Sequence, residues 1–163
     1  MRKRLLLSFL AGLAALAVAP STAWTSVALP ERFDPNRDAA ADLQHALALA
    51  QAQRKLVLLD VGGEWCAWCH ILDRFIAAHP EVLRTLQDHY VVVKVNWSPQ
   101  NRNEQLLSRW PRPSGYPHFY VLDGNGQLLA SQPTGELEGR RDYDEQKMLA
   151  FLRRHAPARP TPS

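Results

Sequence analysis

The strongest constraint on this chain is a pair of apolar runs, Leu56-Val57-Leu58-Leu59-Asp60-Val61 and Tyr90-Val91-Val92-Val93-Lys94-Val95. Both are short and rich in branched residues and lack the alternation of a half-exposed strand, so they suit strands buried on both faces. Between them Ile71, Leu72, Phe75 and Ile76 recur at helical intervals; Pro80 then ends one helix and opens a second that reaches about His89. Strand, helices and strand in this order imply a right-handed βαβ unit. Further on, Phe119 to Leu122 and Gln127 to Ala130 flank Asp123-Gly124-Asn125-Gly126, whose Gly and Asn residues favour a tight hairpin. The expected fold is α/β, with a central mixed sheet flanked by helices.

The remaining elements extend this frame. After a polar connector over 30–37, Asp38 can cap an extra N-terminal helix carrying Leu43, Ala46, Leu47 and Ala50 on one stripe. The segment 98–114 is polar and Pro-rich, with a short helical candidate at Glu104 to Trp110. A last helix is expected over Tyr143 to Arg154, bearing Met148, Leu149, Phe151 and Leu152. One domain over 30–156 and a flexible tail over 157–163 account for the chain after its leader.

That leader is read over 1–23, with cleavage as late as 28. Arg2, Lys3 and Arg4 precede an uncharged run from Leu5 to Ala19, too short for the ~20 residues that span a bilayer comfortably. Small residues allow cuts after Ala19, Ala23 or Ala28, and the pattern is that of a secretory signal peptide. An exported, periplasmic location and a soluble mature protein follow as expectations. Removing the three leader charges leaves sixteen Lys and Arg against sixteen Asp and Glu. This balance argues against nucleic acid as a partner, since nucleic acid favours a concentrated basic patch.

The only two cysteines form Cys66-Ala67-Trp68-Cys69 at the junction between the first buried strand and a helix. A structural disulfide usually closes a long loop, whereas this loop is minimal, so a redox pair is the better reading. A thiol at a helix N-terminus is acidified by unpaired N–H groups and the helix dipole, typically to ~3.5–7.5. Cys66 is therefore the expected attacking sulfur, and Cys69, one turn on, the resolving one.

The stretch Leu58 to Cys69, with Asp60 six residues before the first cysteine and Glu64-Trp65 directly before it, resembles the active-site segment of thioredoxins. Val93-Lys94-Val95-Asn96 is similar to that family's strand bearing a buried lysine, and Gly115-Tyr116-Pro117 to its turn with a cis proline. The resemblance covers roughly Leu56 to Leu152. It implies a thioredoxin fold and a protein-disulfide oxidoreductase without metal or cofactor. It further implies that Asp60, with Lys94 nearby, relays the proton of Cys69, and that Pro117 exposes the Tyr116 backbone for pairing with a substrate chain. Trp65 would shield the thiols, and Trp68 would dock a partner. Exported proteins with disulfides or thiols are the implied substrates, and similarity to the redox domains of membrane reductases implies a membrane-bound electron donor. Reduction or isomerisation is favoured over oxidation.

Ala67-Trp68 replaces the Gly-Pro of thioredoxins proper, and the loop before Tyr116 is longer, so potential and substrate range stay open. Two other readings also stay open. Cys66 to His70 spells the pattern for c-type haem attachment, and a redox-silent module could use the same surface to hold client chains. His70 reads either as a modulator of the thiolate or as an exposed helix residue.

Overall fold

The computed structural model describes residues 29–157. The leader read over 1–23 and nearly all of the tail lie outside them. The first element, α1 (Ala39–Gln53), begins where the Asp38 carboxylate accepts the N–H groups of Ala40 and Ala41, and it ends at Arg54 in the left-handed region. There follow β1 (Leu56–Gly62), α2 (Ala67–Ala78), α3 (Pro80–His89) and β2 (Tyr90–Asn96). A short α4 (Glu104–Leu107) precedes the hairpin of β3 (His118–Leu122) and β4 (Leu128–Pro133). A 3-10 turn, Thr134–Leu137, leads to α5 (Glu145–His155).

The four strands form one sheet in the order β2-β1-β3-β4, with β1 parallel to β2 and every other pairing antiparallel. The strand β1 is buried along its whole length, as its unbroken apolar run requires. Its residues alternate between two cores. Leu56 and Leu58 pack with Leu72 and Phe75 of α2, Leu86 of α3 and Leu152 of α5. Val57, Leu59 and Val61 face the opposite layer, with Leu43 and Ala46 of α1 and Leu106 of α4. Asp60 and Gly62 consequently share the α2 side of the sheet. This is the thioredoxin fold with its added N-terminal helix. Among the described residues no helix is long and apolar enough to cross a membrane.

Three expectations are corrected. The helix expected over Glu104 to Trp110 stops at Leu107, because Pro111 disfavours helical backbone at Trp110, whose ring instead packs 5.3 Å from that of Tyr120. The last helix starts at Glu145 rather than Tyr143: Asp144 caps it by accepting from the Lys147 N–H, while Tyr143 bridges to Glu138 and puts its ring in the core. The connector 30–37 is not wholly polar in its role, since Phe33 is completely buried.

Candidate functional site

The tip of β1 and the start of α2 place the cysteines. Gly62 and Gly63 end the strand, Cys66 takes the N-cap position, and Cys69 falls one turn into the helix. The two sulfurs are bonded to each other, with Cα atoms 5.2 Å apart. Cys66 Sγ also accepts the Cys69 N–H at 3.2 Å, the orphan donor that a cap satisfies. Cys66 is 4% exposed and Cys69 0%, so only the first is open to attack from outside. Glycine at 62 is required: a Cβ there would stand 2.5 Å from Cys69 Sγ and 3.0 Å from the Phe33 ring.

Beneath the pair lies a buried charged cluster. Asp60 is 3% exposed; its Oδ2 accepts from Lys94 Nζ at 3.4 Å, and its Oδ1 has no hydrogen-bond partner. Lys94 is held more closely by Asp73 of α2, at 2.6 Å, and its ammonium sits 4.0 Å over the Phe33 ring. Burial pushes the Asp60 carboxyl up to about 6; Lys94 opposes this, and the negative charge of Asp73 reinforces it. A buried oxygen without a partner is costly, and a carboxyl poised near 6 can take and return a proton at neutral pH. A cleft of about 300 Å³, lined by Asp60, Asp73 and Lys94 among apolar side chains, reaches this cluster.

The opposite rim is built by the β2–β3 connection. The Tyr116–Pro117 peptide is cis. Pro117 is buried, and its carbonyl accepts from Thr134 Oγ1 at 2.6 Å; Thr134 in turn accepts from the Tyr143 hydroxyl. Tyr116 packs with the two cysteines and Phe33. Trp65 is 54% exposed, and its Nε1 donates to the Trp97 carbonyl at 2.7 Å. Trp68 is half-buried, edge-on to Tyr143 at 5.6 Å. His70 points back into the loop, its Nε2 donating to the Glu64 carbonyl at 2.8 Å, while Glu64 Oε1 accepts the Phe33 N–H.

The structure thus packs Phe33, Trp68 and Tyr116 against the disulfide of Cys66 and Cys69, with Trp65 edge-on to Tyr116 and Pro117 following it through the cis bond, while Asp60 and Lys94 pair across β1 and β2 on the α2 side of the sheet. Three further contributors escape sequence reasoning. Phe33 was hidden in a polar stretch, where a lone aromatic was the available signal. Asp73 looked like one more polar residue on an amphipathic helix, although it stands one turn after Cys69. Trp97 follows β2 without any motif that would single it out.

Comparison with known proteins agrees with this geometry. The pattern of the thioredoxin-like family matches residues 38–124. The thiol:disulfide interchange protein DsbD of Pseudomonas fluorescens is 33% identical over 121 residues, which cover 73% of this chain and 19% of that protein. The chain thus spans about a fifth of the length of the curated relatives it matches. A solved disulphide isomerase from Xylella fastidiosa superposes with a TM-score of 0.65 at 27% identity, covering 78% of this chain and 97% of that one. The C-terminal domain of Neisseria meningitidis DsbD in its oxidised form superposes at 0.50 and 18% identity, covering 74% and 97%. With the family pattern spanning more than half of its length, this chain belongs to the thioredoxin-like family.

Proposed function

We propose that this chain is an exported thiol:disulfide oxidoreductase that reduces or isomerises disulfides of other exported proteins through Cys66 and Cys69. The observation that carries the reading is the unequal burial of two bonded sulfurs at one helix N-terminus, Cys66 keeping 4% of its surface and Cys69 none. In the reduced protein the Cys66 thiolate attacks a partner disulfide, forming Cys66–S–S–partner and expelling the partner's other sulfur as a thiolate. The Cys69 thiol gives its proton to Asp60 and attacks Cys66 Sγ, which releases the partner's second thiolate and closes the Cys66–Cys69 disulfide. The partner gains two electrons, and a donor dithiol restores the protein by the reverse exchange. Pro117 presents the Tyr116 backbone to the partner chain, and Lys94 balances the charge of Asp60. The similarity to a thiol:disulfide interchange protein and to a disulphide isomerase supports this chemistry.

The geometry favours thiol exchange over haem attachment, since Cys69 is closed in by Phe33 and the Gly62 backbone, and His70 is engaged with Glu64. Replacing Cys69 by Ala removes the resolving sulfur. The expected result is accumulation of mixed disulfides between Cys66 and exported proteins, seen by non-reducing electrophoresis and mass spectrometry and dispersed by dithiothreitol. Absence of any such adduct would favour the redox-silent holding module.

A further inference from the structure

The rim beside the disulfide is aromatic and basic at once. The Trp97 and Tyr116 rings stack with centroids 4.9 Å apart, and Trp65 stands edge-on to both, at 6.0 and 5.8 Å. The Arg102 guanidinium lies 5.8 Å over the Trp97 ring; burial pushes the Tyr116 hydroxyl up, and Arg112, four residues before it, is near enough to oppose that push in part. Both arginines are exposed. Arg102 meets Glu104 only at 3.5 Å, between two largely exposed side chains, a kind of pair that contributes little.

This rim is fixed before any partner arrives. Trp97 is tied to the active-site loop at both ends of its backbone, its N–H donating to Gly62 and its carbonyl accepting from Trp65. Asn101 and Asn103 secure the loop beyond it, with Asn101 Nδ2 donating to the Pro35 carbonyl and Asn103 Nδ2 to that of Asn96. Gly63 makes room, since a Cβ there would meet the Trp65 indole at 2.3 Å. Preorganised aromatic rings lose little entropy on binding, which makes them effective anchors.

Charge then identifies the occupant. Residues 98–115 contain three arginines and one glutamate, whereas the chain without Arg2-Lys3-Arg4 is balanced at sixteen of each sign. The loop that borders the disulfide thus carries a net charge of +2, three arginines less one glutamate. A net positive loop beside the disulfide attracts an anionic segment and repels a cationic one. The rings offer an apolar surface to the same segment.

We propose that the rim of Trp65, Trp97, Tyr116, Arg102 and Arg112 selects partner segments in which an Asp or Glu stands within a few positions of the reacting cysteine. This rests on the thiol-exchange reading above and adds the substrate class to it. The partner chain lies along Tyr116, its apolar side chains on the rings and its carboxylate between the two guanidiniums.

The test uses the full chain carrying Cys69→Ala, with Cys66 first converted to its glutathione mixed disulfide. Three peptides of equal length, each with one cysteine flanked by Asp, Asn or Lys, are exchanged against glutathione. In each exchange the peptide thiol replaces glutathione on Cys66, and one glutathione thiol is released. Equilibrium constants are compared with those of a chain that also carries Arg102→Gln and Arg112→Gln, so that the effect of the flanks on the peptide thiol itself cancels. The Asp peptide is expected to outcompete the Lys peptide by about threefold to tenfold more on the native rim than on the substituted one, with the gap closing as salt screens it. An identical preference on both rims overturns the proposal while leaving thiol exchange intact. Failure of every peptide to form a mixed disulfide overturns thiol exchange, and this proposal with it.

Discussion

Insulin reduction driven by dithiothreitol is expected to fall to the rate of the reagent alone when Cys66 is replaced by Ser, a loss of at least about 100-fold, because a hydroxyl does not supply the thiolate nucleophile. The substitution is informative because it removes chemistry with little loss of structure. Cys66 occupies the N-cap of α2 and accepts the Cys69 N–H, a task serine performs well at that position. The reduced Cys66→Ser protein is therefore expected to match the reduced native chain in circular dichroism and thermal midpoint. Retained activity in that folded variant would contradict the assignment of Cys66.

The second large effect concerns Asp60. Its folded carboxyl, near 6, lies above the 3.8 of an ordinary aspartate, so the folded state holds this proton more tightly than the unfolded chain does. The stability associated with the protonated form is complete below about pH 4 and is lost as the pH rises through 6, on the order of 3 kcal/mol in all. Asp60→Asn is therefore expected to stabilise the protein at pH 8 by up to about 3 kcal/mol and to do little at pH 4, as urea titrations at the two values would read. Function should move the other way. Without a base for the Cys69 proton, closure of the disulfide is expected to slow by about 100-fold or more. The charges that act on Asp60 come from two elements, Lys94 from β2 and Asp73 from α2. Asp73→Asn should free Lys94 to approach Asp60, and so shift the inflection of the closure rate to lower pH. Unchanged stability at pH 8 together with an unchanged closure rate in Asp60→Asn would remove Asp60 from the proton path.

Much of this was legible because the informative residues break local patterns. An aspartate and a lysine inside otherwise apolar strands, a glycine pair at a strand end, and a cysteine pair at the strand–helix junction each contradict their surroundings. Such conflicts mark functional positions. Asp60 and Lys94 pair across β1 and β2 because the two runs align in parallel register, and both runs were readable. The missed residues act through tertiary contacts that carry no local conflict. Asp73 is an unremarkable polar residue in a helix until α2 is laid across the sheet and Lys94 turns towards it. Phe33 gains its meaning from a chain crossing 31 residues away from Glu64. Thr134, which holds the Pro117 carbonyl, belongs to a 3-10 turn that no periodicity announces.

The fold makes the two sulfurs unequal, leaving Cys66 a little accessible surface at the amino end of α2 and Cys69 none. Timed alkylation of the reduced protein with iodoacetamide across a pH series, with the modified sulfur located by mass spectrometry, tests this inequality directly. Cys66 is expected to be modified first, with a midpoint below the ~8.5 of a free thiol, while Cys69 stays unmodified until the protein unfolds. Equal modification of both sulfurs at the midpoint of free cysteine would contradict it.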